Sequence, residues 1–320
     1  MNGLNSGNII NYWGAQLTPY ARAIISAYRV AVPVFITVPT NLTGTVREEV
    51  QVISDPFEYD SLIIGAHINM GSDSNGDNGQ LIFLNVSDLQ TGMLWSTPGP
   101  IDASPATSWG GSRTNPMPVL KLPEAFFLPS NVQLKHNWKV FSSTATGGTI
   151  TWMAIQLIDP VGGKRPFSVQ MPDGSNIKVG SRVPWFSTSA LGTEISILGS
   201  PSYVLAADGT QYAQYLPSQD CDIEIHDIAC NFFTQGGVDS DAESVFVALA
   251  DRKTPRFWTP NSAPSTVCFG DFSKVYPAMP FTKPYLLKKG HRLEIQTQNR
   301  NALAINNAYV TVRGVKLCDY

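Results

Sequence analysis

Short apolar or alternating runs, each closed by Gly, Pro, Asn or Asp, follow one another along almost the whole chain. They fall at residues 32–38, 50–53, 61–70, 81–86, 132–141 and 150–158. A second series falls at 194–198, 223–233, 244–250, 292–297 and 308–317. Runs of this length between turn residues predict strands. No long segments of helical period alternate with them, so packed sandwiches are expected rather than βαβ units. One helix is predicted over 20–28, with Thr18 as its cap and Pro19 in its first turn.

Much of this pattern is stated twice. Asp88-Leu89-Gln90-Thr91-Gly92-Met93-Leu94-Trp95 has a counterpart in Asp251-Arg252-Lys253-Thr254-Pro255-Arg256-Phe257-Trp258, with the same interval at both ends. In the same order, 57–67 aligns with 221–231, 81–86 with 245–249, 126–134 with 285–293, and 150–157 with 310–317. Similar segments in the same order predict two similar folded units. The expected fold is therefore all-β, with two tandem β-sandwich domains from an internal duplication. Residues 1–28 read as a short N-terminal arm outside both domains, whose removal would leave each folded and impair association. Residues 29–158 form the first sandwich. Residues 159–192 form a linker with an extra hairpin around Pro172-Asp173-Gly174, and 193–320 form the second sandwich. A long loop follows each tryptophan, at 96–122 and 259–284. Loops of that length either serve function or cover a sheet edge, and the sequence leaves both open.

Composition narrows the function classes. At 320 residues and 43% hydrophobic content, each domain can bury its own core. Charged residues make up only 15%, against the ~25% usual in soluble proteins. Such a surface fits one covered by neighbours, or a secreted or virion protein. A net charge of −3 argues against direct nucleic-acid binding. No apolar run approaches the ~20 residues of a transmembrane helix, and the polar residues 1–11 lack a signal-peptide pattern. The four cysteines, Cys221, Cys230, Cys268 and Cys318, all lie in the second copy. A disulfide framework would be expected in both copies. Cys221 and Cys230 fall on opposite faces of one predicted strand, so the expectation is free, buried thiols in a reducing compartment.

Candidate chemistry is sparse. Asp73, Asn75 and Asp77, within 71–79, have the alternate spacing of a calcium loop. Asn78 and Leu84 stand where that loop needs glycine and a bidentate carboxylate. A hairpin turn is the simpler reading, as it is for the acidic stretch 236–241. Gly162-Gly163-Lys164 lacks the spacing of a phosphate loop. His67, His136, His226 and His291 show no ligand spacing, and no Gly-x-Ser-x-Gly elbow is present. Nothing singles out Glu48, Glu49, Asp60, Glu224 or Asp227 as a catalytic pair. Trp95 and Trp258 favour core packing over sugar stacking. No catalytic, cofactor-binding or metal residue is assigned, no cofactor is implied, and an enzyme is not expected.

In each copy a proline-rich aromatic segment (Pro123-Glu124-Ala125-Phe126-Phe127-Leu128-Pro129; Pro280-Phe281-Thr282-Lys283-Pro284-Tyr285) leads into an alternating strand and a closing strand, the second ending Arg313-Gly314-Val315-Lys316-Leu317. With the tandem sandwiches, low charge and N-terminal arm, this resembles virion structural proteins over about residues 30–318. The pattern is similar to that of the double jelly-roll coat proteins of icosahedral viruses, lipid-containing bacteriophages among them. The resemblance implies jelly-roll strand order in each domain and self-association into a trimer or higher assembly, three chains imitating six-fold symmetry. It also implies contacts with other virion proteins, and a place in the virion after synthesis in the host cytoplasm. An auxiliary phage virion protein (decoration, collar or tail component) and a carbohydrate- or receptor-binding sandwich are the alternatives. A two-barrel cupin-like enzyme is disfavoured, because the second copy offers no H-x-H.

Overall fold

A computed structural model of the chain describes residues 4–5, 17–43, 48–69, 82–92, 94–95, 104–105, 120–140, 148–191, 193–197, 200–207, 209, 211–216, 219–233, 245–254, 256–257, 263–264, 281–300 and 304–318. The first half contains β1 (Leu4–Asn5), α1 (Pro19–Ser26), β2 (Tyr28–Pro39), β3 (Glu48–Ile53), β4 (Asp60–Asn69), β5 (Ile82–Asp88), β6 (Ser104–Pro105), β7 (Leu120–Leu128), β8 (Leu134–Val140) and β9 (Thr149–Pro160). A hairpin of β10 (Ser168–Gln170) and β11 (Asn176–Lys178) follows. The second half contains β12 (Arg182–Ala190), β13 (Thr193–Ile197), β14 (Ser200–Leu205), β15 (Gln211–Tyr215), β16 (Asp222–Phe233), β17 (Val245–Asp251), β18 (Arg256–Phe257), β19 (Ala263–Pro264), β20 (Tyr285–Leu287), β21 (Leu293–Asn299) and β22 (Ile305–Leu317).

The chain shuttles between two sheets in each half, and it does so in one order both times. The first half pairs β2-β9-β4-β7 in one sheet and β3-β8-β5-β6 in the other. The second half pairs β12-β22-β16-β20 in one sheet and β15-β21-β17 in the other, with β18 and β19 both on β17. Each half is thus an antiparallel jelly-roll sandwich. The β13–β14 hairpin is an addition to the second half, laid on β22 at Val204↔Asn306 and Leu205↔Ile305.

The described part of the repeated Asp-to-Trp run pairs alike in both halves. Ser87 bridges Leu94 in the first, and Ala250 pairs with Phe257 in the second. The aspartate sets the turn. Asp88 accepts from the Thr91 N–H (2.7 Å) and hydroxyl (2.5 Å), while Asp251 accepts from Lys253 N–H (3.0 Å) and bonds the Thr254 side chain. Beyond the tryptophan, Phe83↔Pro105 in one half matches Phe246↔Pro264 in the other. At 104–105 and at 263–264 each long loop therefore covers the edge of a sheet, while residues 120–122, expected to end the first loop, already belong to β7.

Both halves also carry a bulge at one place. The pairing with the closing strand slips between Ile63 and Gly65 in β4, and between Ile225 and Asp227 in β16. The extra residue reverses the inward parity, so Ile63 is followed into the core by Ala66 and Ile68, and Ile225 by Ile228. His226 thus matches Ile64, and not Leu62 as the ungapped alignment expects. Gly314 faces this bulge. A Cβ there would lie 2.3 Å from the Glu224 carbonyl oxygen, which explains glycine where the first half has Ala154.

Two expectations are corrected. The predicted helix forms, with the Thr18 side chain accepting from Ala21 N–H (3.2 Å) and Pro19 at its start, but it is no detached arm. Leu17, Tyr20, Ile24 and Ile25 are buried against Leu62, Ile64, Phe127, Ile155 and Leu157, with Val169 of the hairpin closing the cluster. Helix and hairpin make a third layer on the outer face of the first sheet, because that face is apolar and needs a cover. The second correction concerns the span expected to be linker and hairpin. Its last part is β12, which pairs with β22 from Arg182↔Leu317 to Ala190↔Tyr309.

Candidate functional site: the seam between the two sandwiches

Strand β12 binds the halves together. Its Val183 and Phe186 lie in the core of the first sandwich, and Trp185 lies in the core of the second. The Phe186 N–H donates to the Trp95 carbonyl at 2.8 Å. Phe83 of β5 meets Tyr309 of β22 edge-on, with centroids 5.3 Å apart. Trp95 is fully buried and makes T-shaped contacts with Phe126 (4.8 Å) and Trp152 (5.6 Å). Its ring is a core element, as expected. Trp258 lies outside the described residues.

A charged knot crosses the seam and reaches four elements. Arg182 of β12 lies between Glu124 of β7 (3.5 Å) and Glu224 of β16 (3.2 Å), and over the Tyr20 ring of α1 (5.7 Å). The Thr18 hydroxyl donates to Glu124. His226 Nε2 lies 3.7 Å from Glu224. Burial pushes the Glu124 carboxyl up, against the pull of Thr18 and Arg182. His226 and Arg182 hold Glu224 below its usual range, against its own burial. Burying charges offsets most of their attraction, so the knot links α1, β7, β12 and β16 without adding much net stability. Neither Glu124 nor Arg182 was singled out by sequence reasoning. The available signal was a charge inside a run of large apolar residues.

The carboxylates considered as catalytic candidates are engaged elsewhere. Asp60 accepts two bonds from Arg165 Nε (3.0 Å each), one from Arg165 Nη2 (2.6 Å), one from Ser130 N–H (2.8 Å) and one from the Tyr28 hydroxyl (2.8 Å). Burial favours its neutral form, yet Arg165 and these donors hold it below the ordinary carboxylate range. Asp227 forms a buried fork with Arg313 at 2.6 and 2.7 Å. Glu49 makes an exposed pair with Lys139 at 3.7 Å. Among the described side chains these groups are not brought together as an acid–base pair, and the Glu48 side chain lies outside them. His291 lies on Asp251 at 3.0 Å, and Gly163 sits in a turn with positive φ closed by its N–H on Pro160 O (2.8 Å). The 71–79 and 236–241 stretches lie outside the described residues, and so do Cys268 and the Cys230 side chain. Among the described residues no three His, Cys, Asp or Glu side chains gather as metal ligands, and no helix is long and apolar enough to cross a membrane. A cleft of about 440 Å³ opens beside the seam, lined among others by Thr91, Phe127, Arg165, Phe167 and Lys178.

His136 gives the first sandwich a pH dependence. It is fully buried, its Nε2 accepts the Trp152 indole N–H at 2.9 Å, and its Nδ1 faces the Val52 carbonyl at 3.3 Å. Both contacts require the neutral ring with its proton on Nδ1. Burial lowers its pKa to about 4 from 6.5. The unfolded chain therefore binds the extra proton first as pH falls. The contribution of this ring to stability is expected to be complete above about pH 6.5 and to be lost toward pH 4, about 3 kcal/mol in all. His136→Gln keeps an acceptor for the indole and does not titrate. Urea unfolding at several pH values should show a flatter slope in this window for the variant. An identical slope would exclude His136 as its source.

Neither a family model nor a curated protein matches this sequence. Among solved structures, the major capsid protein P2 of bacteriophage PM2 aligns over 90% of this chain and 98% of its own, at 10% identity and a TM-score of 0.36. The human MASP-1/3 CUB1-EGF-CUB2 fragment aligns over 88% and 99%, at 12% identity and 0.22. A triple jelly-roll protein of an archaeal virus turret assembly aligns over 87% and 59%, at 7% identity and 0.23. Scores this low do not choose among these proteins, and the jelly-roll description stands on the strand order alone.

Proposed function

We propose that this is a virion structural protein of the coat type, which assembles with copies of itself into an icosahedral shell. The observation that carries the reading is the strand order, one jelly roll followed by a second of equal connectivity in a single chain. Two similar units in one chain, arisen by duplication, let three chains present six similar modules around an axis. Closed assemblies need such repeated, complementary contacts. The seam supports the reading too, since tiles must hold their shape. A third support is the edge strand β2. Past Ala31 it has no partner on its outer side among the described residues, and its Phe35 is 66% exposed. Unpaired edges with exposed apolar groups are points of association.

The native mass of the purified full chain tests this. Trimers or larger closed particles are expected at micromolar concentration. Small open oligomers would favour an auxiliary virion component. A monomer at all concentrations would overturn the coat reading, and one whose mobility shifts with a glycan would favour a binder. The buried Trp95 does not favour the glycan reading, because its ring cannot serve as a stacking platform.

A further inference from the structure

Cys221 and Cys318 stand opposite each other where the β16–β22 ladder ends. The last pair there is Asp222 with Leu317, and one further step along both strands brings the two cysteines face to face. Their sulfurs are 2.8 Å apart, and both are thiols. The two described cysteines are free, as expected, and Cys318 is buried, but Cys221 is partly exposed. The Cys318 N–H donates to Ser181 O on the other flank, at 3.1 Å. Its backbone groups therefore turn away from β16, which makes this a non-hydrogen-bonded cross-strand pair. Such pairs hold their Cα atoms about 4.5 Å apart, inside the ~4.4–6.8 Å span that a disulfide spans without strain.

The geometry points to a redox site in which Cys221 and Cys318 close to a cross-strand disulfide on meeting a low-molecular-weight disulfide. With glutathione disulfide as oxidant, the Cys221 thiolate attacks one glutathione sulfur and expels the other as thiolate, which takes up the proton. The Cys318 thiolate then attacks the Cys221 sulfur and expels the second glutathione. The two protein thiols are oxidised, and one glutathione disulfide is reduced to two thiols. Cys318 as a neighbour, and burial, push the Cys221 thiol up, so the attacking thiolate is scarce at neutral pH and the reaction quickens with rising pH. The bond joins residues 97 apart in sequence. It pins the end of β22, the strand that pairs with β12, β14 and β16 together. The reduced form belongs to a reducing compartment and the stapled form to oxidising surroundings. The site does not rest on the coat reading.

The test is incubation of the full chain with glutathione disulfide at about pH 8, followed by a non-reduced peptide mass map and a thermal melt. One linked peptide pair containing Cys221 and Cys318 is expected, two hydrogens lighter than its parts. The melting midpoint should rise by on the order of 10 °C, and dithiothreitol should reverse both changes. Cys221→Ser, at the partly exposed member, should melt like the reduced parent and neither link nor shift. Cys318→Ser serves as the second control. A bond through Cys230 or Cys268, a glutathione adduct that stays on Cys221, or a link without a rise in melting would each overturn the proposal.

Discussion

A chain beginning at residue 28 is expected to lose its cooperative native state. Truncation removes α1 and uncovers the sheet face beneath it. Leu17, Tyr20, Ile24 and Ile25 leave, and Leu62, Ile64, Phe127, Ile155 and Leu157 return to water. At about 1.5–3 kcal/mol for each large side chain, the loss is on the order of 10 kcal/mol, comparable to the ~5–15 kcal/mol stability of an ordinary domain. The Thr18 and Tyr20 contacts of the charged knot go as well, which leaves Glu124 buried with one donor fewer. Circular dichroism melts and binding of a hydrophobic dye should report a collapsed, non-cooperative chain. Ile24→Ala gives the graded version, with an expected cost of about 2–5 kcal/mol. A truncated chain that melts as sharply, and at the same temperature, would make the helix a detachable arm after all.

The need for that cover is written in the strand itself. Leu62-Ile63-Ile64 in β4 is apolar on both faces, whereas its counterpart Glu224-Ile225-His226 alternates. Continuous apolar strands are buried on both sides and alternating ones on a single side. The contrast predicts an extra layer on the first sandwich and none like it on the second, but it shows only when the two copies are read against each other. The repeated turn was legible for a local reason: the aspartate bonds the side chain of the threonine three residues on in both copies.

What escaped the sequence depends on distant partners. Arg182–Ala190 is buried along nearly its whole length, so it shows no alternation, and Pro184 breaks the pattern further. Pro123 likewise hides β7, where the pairing with β4 slips between Phe126 and Lys121. Edge strands and bulges tolerate proline, but edges are known only once the sheet is assembled. The facing of Cys221 and Cys318 depends on a register that the bulge at His226 sets. The closeness of Glu124, Arg182 and Glu224 depends on how two whole sandwiches dock.

Replacing Trp95 with alanine is expected to weaken the whole molecule and not the first sandwich alone. The ring is fully buried, and truncating such a residue costs about 3–5 kcal/mol, with its two edge-to-face contacts included in that loss. The neighbours make the effect spread. Trp152 is held by His136 from one side and by Trp95 from the other, while the Trp95 backbone carries the Phe186 N–H of β12. A cavity at Trp95 thus loosens the strand that also forms the outer flank of β22. Combining Trp95→Ala with Phe186→Ala should reveal a coupling larger than the ~0.5 kcal/mol error of additivity. Strictly additive costs would show that the halves are joined without sharing a core. A Trp95→Ala protein of undiminished stability that has lost affinity for a ligand would instead place the ring at a binding surface, and the packing of the seam would have to be redrawn.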